Sequence, residues 1–266
     1  MPLAAQREGR YQGGMLNTIL HGAPSDHPPV VIAHGLYGSA RNWGVIAKRL
    51  SDRGQVIAVD MRNHGQSPRS DNHSYEDMAG DLAEVIAAHG GQADVVGHSM
   101  GGKAAMMLAL RHPRAVHRLV VADIAPVAYM HSQLPFIHAM RAVDLAQVER
   151  RSDAEAQLAE HGVERALQSF FTQSLDVKTK TWLLNLDALE RNMPHIMGFP
   201  ETEAAWAGPA LFLSGAASDY VQSAHRETIK ARFPAARFAK LPGAGHWLHA
   251  DDPRGFEAAV RVFLDA

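Results

Sequence analysis

Residues 94–103 read DVVGHSMGGK, which joins a short apolar run, a serine flanked by glycines and the beginning of a helical pattern. The apolar run suits a strand that is buried on both faces of a parallel sheet. Gly97 and Gly101 allow a sharp turn around Ser99, because they carry no side chains that would collide with neighbouring backbone. Such a strand–turn–helix lifts a serine hydroxyl above the edge of a sheet. The stretch therefore predicts a nucleophilic serine in an α/β fold.

Further apolar runs and helical patterns alternate on both sides of this stretch. The runs lie at 30–33, 56–59, 119–122, 210–213 and 237–241, and the helical patterns lie at 43–52, 75–88, 100–111, 221–232 and 253–264. Ahead of them, residues 10–20 suggest a short hairpin around Gly13 and Gly14. The alternation of strand and helix predicts an α/β fold with a doubly wound, mostly parallel sheet.

The interval from 127 to 207 breaks this alternation. It carries helical patterns at 134–150, 152–171 and 178–191 and shows no convincing buried strand. An interval of this length is too long for a simple crossover between two strands. Ligands of open α/β sheets bind at the carboxyl edge of the strands. We therefore expect a helical cap at 127–207 over a core that is formed by residues 1–126 and 208–266.

The composition excludes several classes of protein. Of the 266 residues, 46% are apolar and 20% are charged, so the chain can bury a full core and is not disordered. A net charge of −2 provides no basic surface for nucleic acid or for an anionic membrane. Cysteine is absent, which excludes disulfides, thiolate metal sites and a cysteine nucleophile. The 16 histidines show no HExxH or similar spacing, so we expect no metal site.

The sequence carries no signal for export or for a membrane span. Its N-terminal residues lack the apolar core of a secretory signal, and no apolar stretch of about 18 residues occurs. We therefore expect a cytoplasmic protein that does not bind a membrane. The oligomeric state is left open.

The segment HGLYGS at 34–39 directly follows the run at 30–33. Acyl transfer needs two backbone N–H groups that are aimed at the developing oxyanion. In this strand–turn–helix architecture one N–H comes from the residue after the nucleophile, here Met100, and the other from the loop after an early strand. Leu36 is the candidate in that loop. An ordinary strand-to-helix turn is the alternative interpretation of the segment.

A glycine-rich segment at 243–250, GAGHWLHA, lies between the last run and the last helical pattern. A histidine that follows the serine in chain order, on a loop of this kind, fits the base of a Ser–His–acid triad. His246 is therefore the candidate base. His249, three residues later, is expected to be a supporting or surface residue.

The chain resembles the α/β-hydrolase superfamily and, within it, the YbfF-type esterases. The segments that carry the resemblance are HGLYGS (34–39), DMRNHGQS (60–67), GHSMGGK (97–103), DIAPV (123–127), PHIMG (194–198) and GAGHWLHA (243–250). They occur in order from about residue 30 to the end of the chain. The resemblance implies hydrolysis of carboxylic esters through a Ser–Asp–His triad, with no metal and no organic cofactor.

Two aspartates compete for the role of the triad acid. Most α/β-hydrolases carry this acid after the strand predicted here at 210–213, as the last residue of a G-x-x-D pattern. Counted from Gly215, that place is filled by Ser218, and Asp219 comes one residue late. A shift of one residue on a turn re-aims a side chain, so Asp219 is only the alternative acid.

Asp123 is the favoured acid because it directly follows the run at 119–122. The carboxyl ends of parallel strands meet at one edge of a sheet, so Asp123 and Ser99 should lie at the same edge. The YbfF-type resemblance also keeps an aspartate in the DIAPV segment. A carboxylate that caps the first turn of the insertion is the alternative role for Asp123.

The sequence as a whole predicts a serine hydrolase of small-molecule carboxylic esters with small to medium acyl groups. Its predicted machinery is Ser99, His246 and Asp123, with the N–H groups of Leu36 and Met100 as the oxyanion hole. A fold does not fix a reaction. The alternatives are a thioesterase or acyltransferase, a perhydrolase or a C–C hydrolase on the same fold, and a ligand-binding module that keeps a vestigial triad.

Overall fold

The computed structural model describes residues 14–266 of the chain. Its strands are β1 (Thr18–His21), β2 (Val30–Ala33), β3 (Val56–Val59), β4 (Ala93–His98), β5 (Val116–Ala122), β6 (Leu175–Asp176), β7 (Thr181–Trp182), β8 (Ala210–Gly215) and β9 (Ala236–Leu241). Seven of them form the main sheet in the order β1-β3-β2-β4-β5-β8-β9. β1 pairs antiparallel with β3, and the other neighbours pair parallel. The predicted mostly parallel sheet is confirmed.

Helices cover both faces of this sheet. The described helices are α1 (Gly44–Leu50), α2 (Tyr75–Ala88), α3 (Met100–Arg111), α4 (Leu134–Ala142), α5 (Arg151–Glu160), α6 (Arg165–Thr172), α7 (Leu186–Arg191), α8 (Met193–Met197), α9 (Arg226–Arg232), α10 (Leu248–Asp251) and α11 (Pro253–Leu264). The bounds of α2, α3 and α11 agree with the predicted ones. Helix α9 begins later than predicted, because Ser223–His225 forms a separate 3-10 turn.

Side chains of the buried strands belong to two separate hydrophobic cores. Val31 and Val95 pack into one core with α2 and α3, whereas their neighbours Ile32 and Val96 pack into the other with α1 and α11. Successive side chains of a strand point to opposite faces, so a strand covered on both faces needs apolar residues at every position. This requirement explains the continuous apolar runs in the sequence.

The insertion between β5 and β8 contains α4 to α8 and the antiparallel pair β6–β7. The prediction of a helix at 178–191 is wrong for the first half of that range, where Thr181–Trp182 forms β7. Helix α7 begins only at Leu186, because the Asn185 side chain caps it by accepting from the Ala188 N–H. The helix predicted at 152–171 is divided into α5 and α6, and Gly162 lies between them with a φ of 76°. Strands of two residues are too short to give a periodic pattern.

Two further predictions concern a hairpin near the beginning of the chain and the absence of a membrane span. The hairpin predicted at 10–20 lies partly outside the described residues, and its described part contains β1, which pairs with β3. Among residues 14–266, no helix combines the length and the apolar character that a membrane crossing needs.

Candidate active site

Ser99 lies in a strained turn between β4 and α3. Its φ of 53° and ψ of −119° are unusual for a residue with a side chain. A Cβ atom on Gly97 would lie 2.3 Å from the Gly101 carbonyl oxygen, and one on Gly101 would lie 2.2 Å from the Ala33 carbonyl oxygen. Both positions therefore require glycine. The turn places the Ser99 hydroxyl at the N-terminus of α3, where the helix dipole favours negative charge.

Three predicted side chains meet at this turn. His246 Nε2 lies 3.1 Å from Ser99 Oγ, and His246 Nδ1 lies 2.8 Å from Asp123 Oδ2. In a neutral imidazole one ring nitrogen donates and the other accepts. With the proton on Nδ1, His246 donates to Asp123 and accepts from the Ser99 hydroxyl. This arrangement can move a proton from the serine to the histidine.

Asp123 is fully buried at the end of β5, with a φ of 53°. Its Oδ1 accepts from the Gly215 N–H at 3.1 Å, and its Oδ2 accepts from the Ser218 hydroxyl at 2.5 Å as well as from His246. A buried carboxylate is stable only when such donors replace its water shell. The donors therefore hold Asp123 in one orientation toward His246.

Asp219, the alternative acid, is exposed. Within residues 14–266 its carboxylate accepts no hydrogen bond, and only its backbone oxygen accepts one, from Gln222. Ser218, which occupies the G-x-x-D position, contacts Asp123, whereas the side chain of Asp219, one residue later, is exposed. The structure brings Asp123 to His246 and leaves Asp219 outside this hydrogen-bonded group.

Leu36 and Met100 both line the cavity above Ser99. The neighbouring Tyr37 N–H donates to His64 Nε2 at 3.1 Å. In the described part of the chain, by contrast, the N–H groups of Leu36 and Met100 have no acceptor. Met100 is the first residue of α3, a position at which the N–H has no partner inside the helix. Two residues that line the cavity with Ser99 therefore carry N–H groups that are free to donate, as a developing oxyanion requires.

Two buried histidines fix the loop that carries Leu36. His34 Nε2 accepts from the Met61 N–H at 2.9 Å, and His64 Nε2 accepts from the Tyr37 N–H. Each ring donates through Nδ1 to a carbonyl oxygen, of Gly35 and Arg62 respectively. Burial lowers the pKa of both histidines, so both stay neutral and can accept on Nε2. The segment 60–67 thus shapes the site through its backbone and His64.

The loop of His246 is held by aromatic rings that the sequence reasoning missed. Tyr220 stacks on His246 with ring centroids 3.7 Å apart, and its hydroxyl lies 2.9 Å from His131 Nε2. Nothing in the local sequence around Tyr220 marks it, because it lies on a separate loop after β8. The stacking restricts rotation of the imidazole ring and so helps to hold it between Ser99 and Asp123.

A second group of rings lies behind the same loop. His98 donates from Nε2 to the His246 carbonyl oxygen at 2.8 Å, and His249 stacks on Trp43 at 4.0 Å. Burial, followed by the nearby His246, lowers the pKa of His249 to about 3. His249 is therefore a buried supporting residue and not a surface one. Of this group, the sequence analysis singled out only His249.

A cavity of about 340 Å³ opens above Ser99. The insertion lines it mainly with apolar side chains, which are Phe136, Leu167, Phe170, Phe171, Ile196 and Met197. Lys103 of α3 ties the insertion to the core, because its Nζ donates to the carbonyl oxygens of Met197 and Gly198 at 3.1 Å and 2.6 Å. Burial lowers the pKa of Lys103 to about 7.

No group of three or more histidine and carboxylate side chains among residues 14–266 is arranged to hold a metal ion. A serine, a histidine and a buried carboxylate beside two free N–H groups can transfer an acyl group.

Comparison with known proteins assigns this site to a family. The model of the alpha/beta hydrolase family matches residues 30–259. The sn-1-specific diacylglycerol lipase ABHD11 of Mus musculus is 42% identical over 248 residues, covering 89% of this chain and 81% of the mouse protein. Esterase YbfF of Escherichia coli is 38% identical over 244 residues, covering 90% of this chain and 94% of the bacterial protein.

A solved structure agrees with these relatives. A marine microorganism esterase superimposes with a TM-score of 0.88 at 38% identity, covering 94% of this chain and 99% of that one. The relatives at 38–42% identity are named esterase and lipase, which confirms the prediction of a carboxylic ester hydrolase. The predicted YbfF-type resemblance is confirmed as well. With a family match that spans most of its length, the chain belongs to the alpha/beta hydrolase family.

Proposed function

We propose that the protein hydrolyses small-molecule carboxylic esters through an acyl-enzyme, with Ser99 as nucleophile, His246 as base and Asp123 as acid. One observation carries this proposal. The hydrogen bonds from Ser99 Oγ to His246 and from His246 to Asp123, at 3.1 Å and 2.8 Å, form a continuous chain beside two free N–H groups. Geometry of this kind defines a triad more reliably than sequence position does.

Acylation follows from these contacts. Ser99 Oγ forms a bond to the ester carbonyl carbon, while its proton passes to His246 Nε2. The carbonyl oxygen becomes an oxyanion, which accepts from the N–H groups of Leu36 and Met100. Asp123 stabilises the imidazolium that forms on His246. The tetrahedral intermediate then breaks its ester C–O bond, and His246 returns the proton to the leaving alcohol.

Deacylation repeats these steps with water. His246 Nε2 takes a proton from a water molecule, whose oxygen bonds to the acyl carbon of the Ser99 ester. The same two N–H groups stabilise the second oxyanion. When the bond to Ser99 Oγ breaks, His246 protonates the serine and the carboxylic acid leaves.

We propose that the insertion at 127–207 acts as a cap that selects the acyl group. Its apolar side chains line the cavity, so an alkyl chain would gain by leaving water there. The cavity volume of about 340 Å³ is near the lower end for small-molecule sites, which favours small to medium acyl groups. The cap boundaries and a cytoplasmic location stay predictions.

A chain-length series tests the proposal. Initial rates on p-nitrophenyl esters from acetate to palmitate should reach a maximum at short to medium length. A fluorophosphonate probe should label the wild type and leave the Ser99→Ala variant unlabelled. A folded protein that hydrolyses none of these esters and takes up no probe would contradict the proposal. Adding a competing alcohol separates hydrolysis from acyl transfer, since a transferase would form the new ester in place of the free acid.

A further inference from the structure

His73 is a buried histidine that the proposed triad does not use. It lies just before α2, its side chain is fully buried, and its Nε2 lies 3.3 Å from Met100 Sδ. Met100 directly follows Ser99 and carries one of the two N–H groups proposed for the oxyanion hole. The His73 ring therefore contacts a residue on which stabilisation of the oxyanion depends.

The hydrogen bonds of Asn63 define which nitrogen of His73 carries the proton. Asn63 Oδ1 accepts from the Ser70 N–H at 2.8 Å and from Asn185 Nδ2 at 3.0 Å. These two donors orient the Asn63 amide so that its Nδ2 lies 3.1 Å from His73 Nδ1. Because an amide NH₂ group only donates, His73 Nδ1 is the acceptor. The proton of a neutral His73 ring therefore lies on Nε2, which faces Met100.

The His73 ring is neutral under ordinary assay conditions. Burial, followed by the charge of Arg62, lowers its pKa to about 3. A neutral ring with its proton on Nε2 donates to Met100 Sδ, which is a weak acceptor. This contact gives Met100 one direction, although methionine side chains have three rotatable bonds and adapt readily to their surroundings.

A fixed side chain matters at this position because of where Met100 lies in its helix. It is the first residue of α3, so the hydrogen bonds of the helix do not include its N–H. The strained turn at Ser99 precedes it directly. The contact with His73 anchors Met100 from the side of its thioether and so restricts the direction of its N–H.

The same buried group of side chains supports the other proposed donor. His64 accepts from the Tyr37 N–H and thereby holds the loop of Leu36. The rings of His64 and His73 lie next to each other, with centroids 5.8 Å apart. One buried cluster thus contacts both sides of the proposed oxyanion hole.

We propose that His73 is a positioning residue, which holds Met100 through its thioether so that the Met100 N–H stays directed at the carbonyl oxygen of the substrate. The inference rests on the proposed function, because it takes the Met100 N–H as an oxyanion donor. His73 is not among the described residues that line the cavity, so its effect on the reaction passes through Met100.

Two amide side chains of different length separate the two contacts of the ring. A glutamine amide at position 73 would lie near the present Nε2 and could donate to Met100 Sδ, whereas an asparagine amide would lie near Nδ1 and could contact only Asn63. His73→Asn should lower kcat on p-nitrophenyl butyrate by roughly three- to tenfold, a part of the 10²- to 10³-fold cost of losing an oxyanion donor. KM should stay unchanged, because the oxyanion forms only in the transition state.

His73→Gln is the matched variant and should retain most of kcat. If His73 served only the fold through its contact with Asn63, the order would be reversed, and the asparagine variant would be the more active one. Circular dichroism and thermal melting verify that each variant is folded.

A double-mutant cycle shows whether the effect passes through the thioether. Met100→Leu removes the sulfur acceptor and nearly conserves the side-chain volume. In the Met100→Leu background, His73→Asn and His73→Gln should have equal kcat values, because neither can donate to residue 100. Losses that are the same in both backgrounds would show that His73 does not act through Met100.

The outcomes separate this inference from the proposed function. A folded wild type that hydrolyses no p-nitrophenyl ester and takes up no fluorophosphonate contradicts the proposed function, and the inference fails with it. If the wild type is active but folded His73→Asn keeps its kcat, or loses as much in the Met100→Leu background, the inference alone is overturned. Should His73→Asn not fold, an unchanged kcat in Met100→Leu overturns the inference.

Discussion

The carboxyl edge of the main sheet and the helical insertion face the same cavity, but different forces define them. At the edge, directional hydrogen bonds fix the reacting groups, as the donors on Asp123 and the 3.1 Å contact of His246 with Ser99 show. In the insertion, apolar rings such as Phe136 and Phe170 form the cavity wall. Hydrogen bonds depend on angle, whereas hydrophobic contact depends on area. We therefore expect substitutions at the edge to alter rate and substitutions in the insertion to alter selectivity.

The largest expected effect lies at the edge. Ser99→Ala should lower kcat/KM on p-nitrophenyl butyrate by at least about 10⁴-fold, since the nucleophile of a cooperative triad is lost. Ser132, a serine of the insertion that also lines the cavity, is the matched control, and Ser132→Ala should keep most of the activity. Ser99→Ala protein that retains a tenth of the wild-type rate would show that the edge does not carry the chemistry.

The second effect compares the ends of two neighbouring strands. Asp123→Asn should lower kcat by roughly 10²- to 10⁴-fold with the fold intact, because an amide cannot stabilise the His246 imidazolium. Asp219→Asn should lower it by less than about tenfold, since the exposed Asp219 side chain lies outside the hydrogen-bonded group. Steady-state kinetics of the two variants shows which of the two aspartates is the acid. The reverse order of losses would make Asp219 the acid.

A smaller effect is expected in the insertion. Phe136 lines the cavity, so Phe136→Ala should enlarge it and shift the rate ratio of long to short acyl esters by roughly tenfold. Arg141 lies on the same helix but pairs with Asp187 and Glu190 at the surface. Arg141→Ala should leave the ratio unchanged. If both folded variants show the wild-type chain-length profile, the insertion does not select the acyl group.

The smallest effect concerns the stability of the edge in acid. His249 titrates near pH 6.5 in an unfolded chain, whereas its pKa in the folded protein is about 3. Its contribution to stability is therefore complete above pH 6.5 and declines as the pH falls from 6.5 toward 3. The decline amounts to roughly 1 kcal/mol per pH unit for one buried histidine.

Replacing this ring by one that cannot titrate tests the effect. His249 Nδ1 is buried without a hydrogen-bond partner in the described part of the chain, and its ring stacks on Trp43, so phenylalanine fits the site. In His249→Phe, the free energy of unfolding should fall less steeply between pH 6.5 and pH 5 than in the wild type. Urea denaturation at several pH values measures the slope. Parallel pH dependences would mean that His249 is already protonated in the folded protein.

Local patterns in the sequence were sufficient for the parallel strands of the main sheet, for several helices and for two residues of the candidate site. Continuous apolar runs indicate strands covered on both faces, and the bounds of β2 and β3 agree with them. Ser99 is recognisable because a strained turn needs glycines at fixed spacing. His246 follows from chain order and a glycine-rich loop. The helix predicted at 178–191 failed because β7 is only two residues long.

The sequence by itself therefore determined the α/β sheet and indicated the candidate serine and histidine, because neighbouring residues specify each of them. Only the tertiary structure placed Ser218 on Asp123, 95 positions away, and Tyr220 on the His246 ring. It also placed His64 on the Tyr37 N–H, 27 positions away. No local periodicity encodes such contacts, because they form where separate strand ends converge at one edge of the sheet. The proposed nucleophile and base were thus readable from the chain, whereas the way in which the proposed acid and the loop of Leu36 are held was decided by packing.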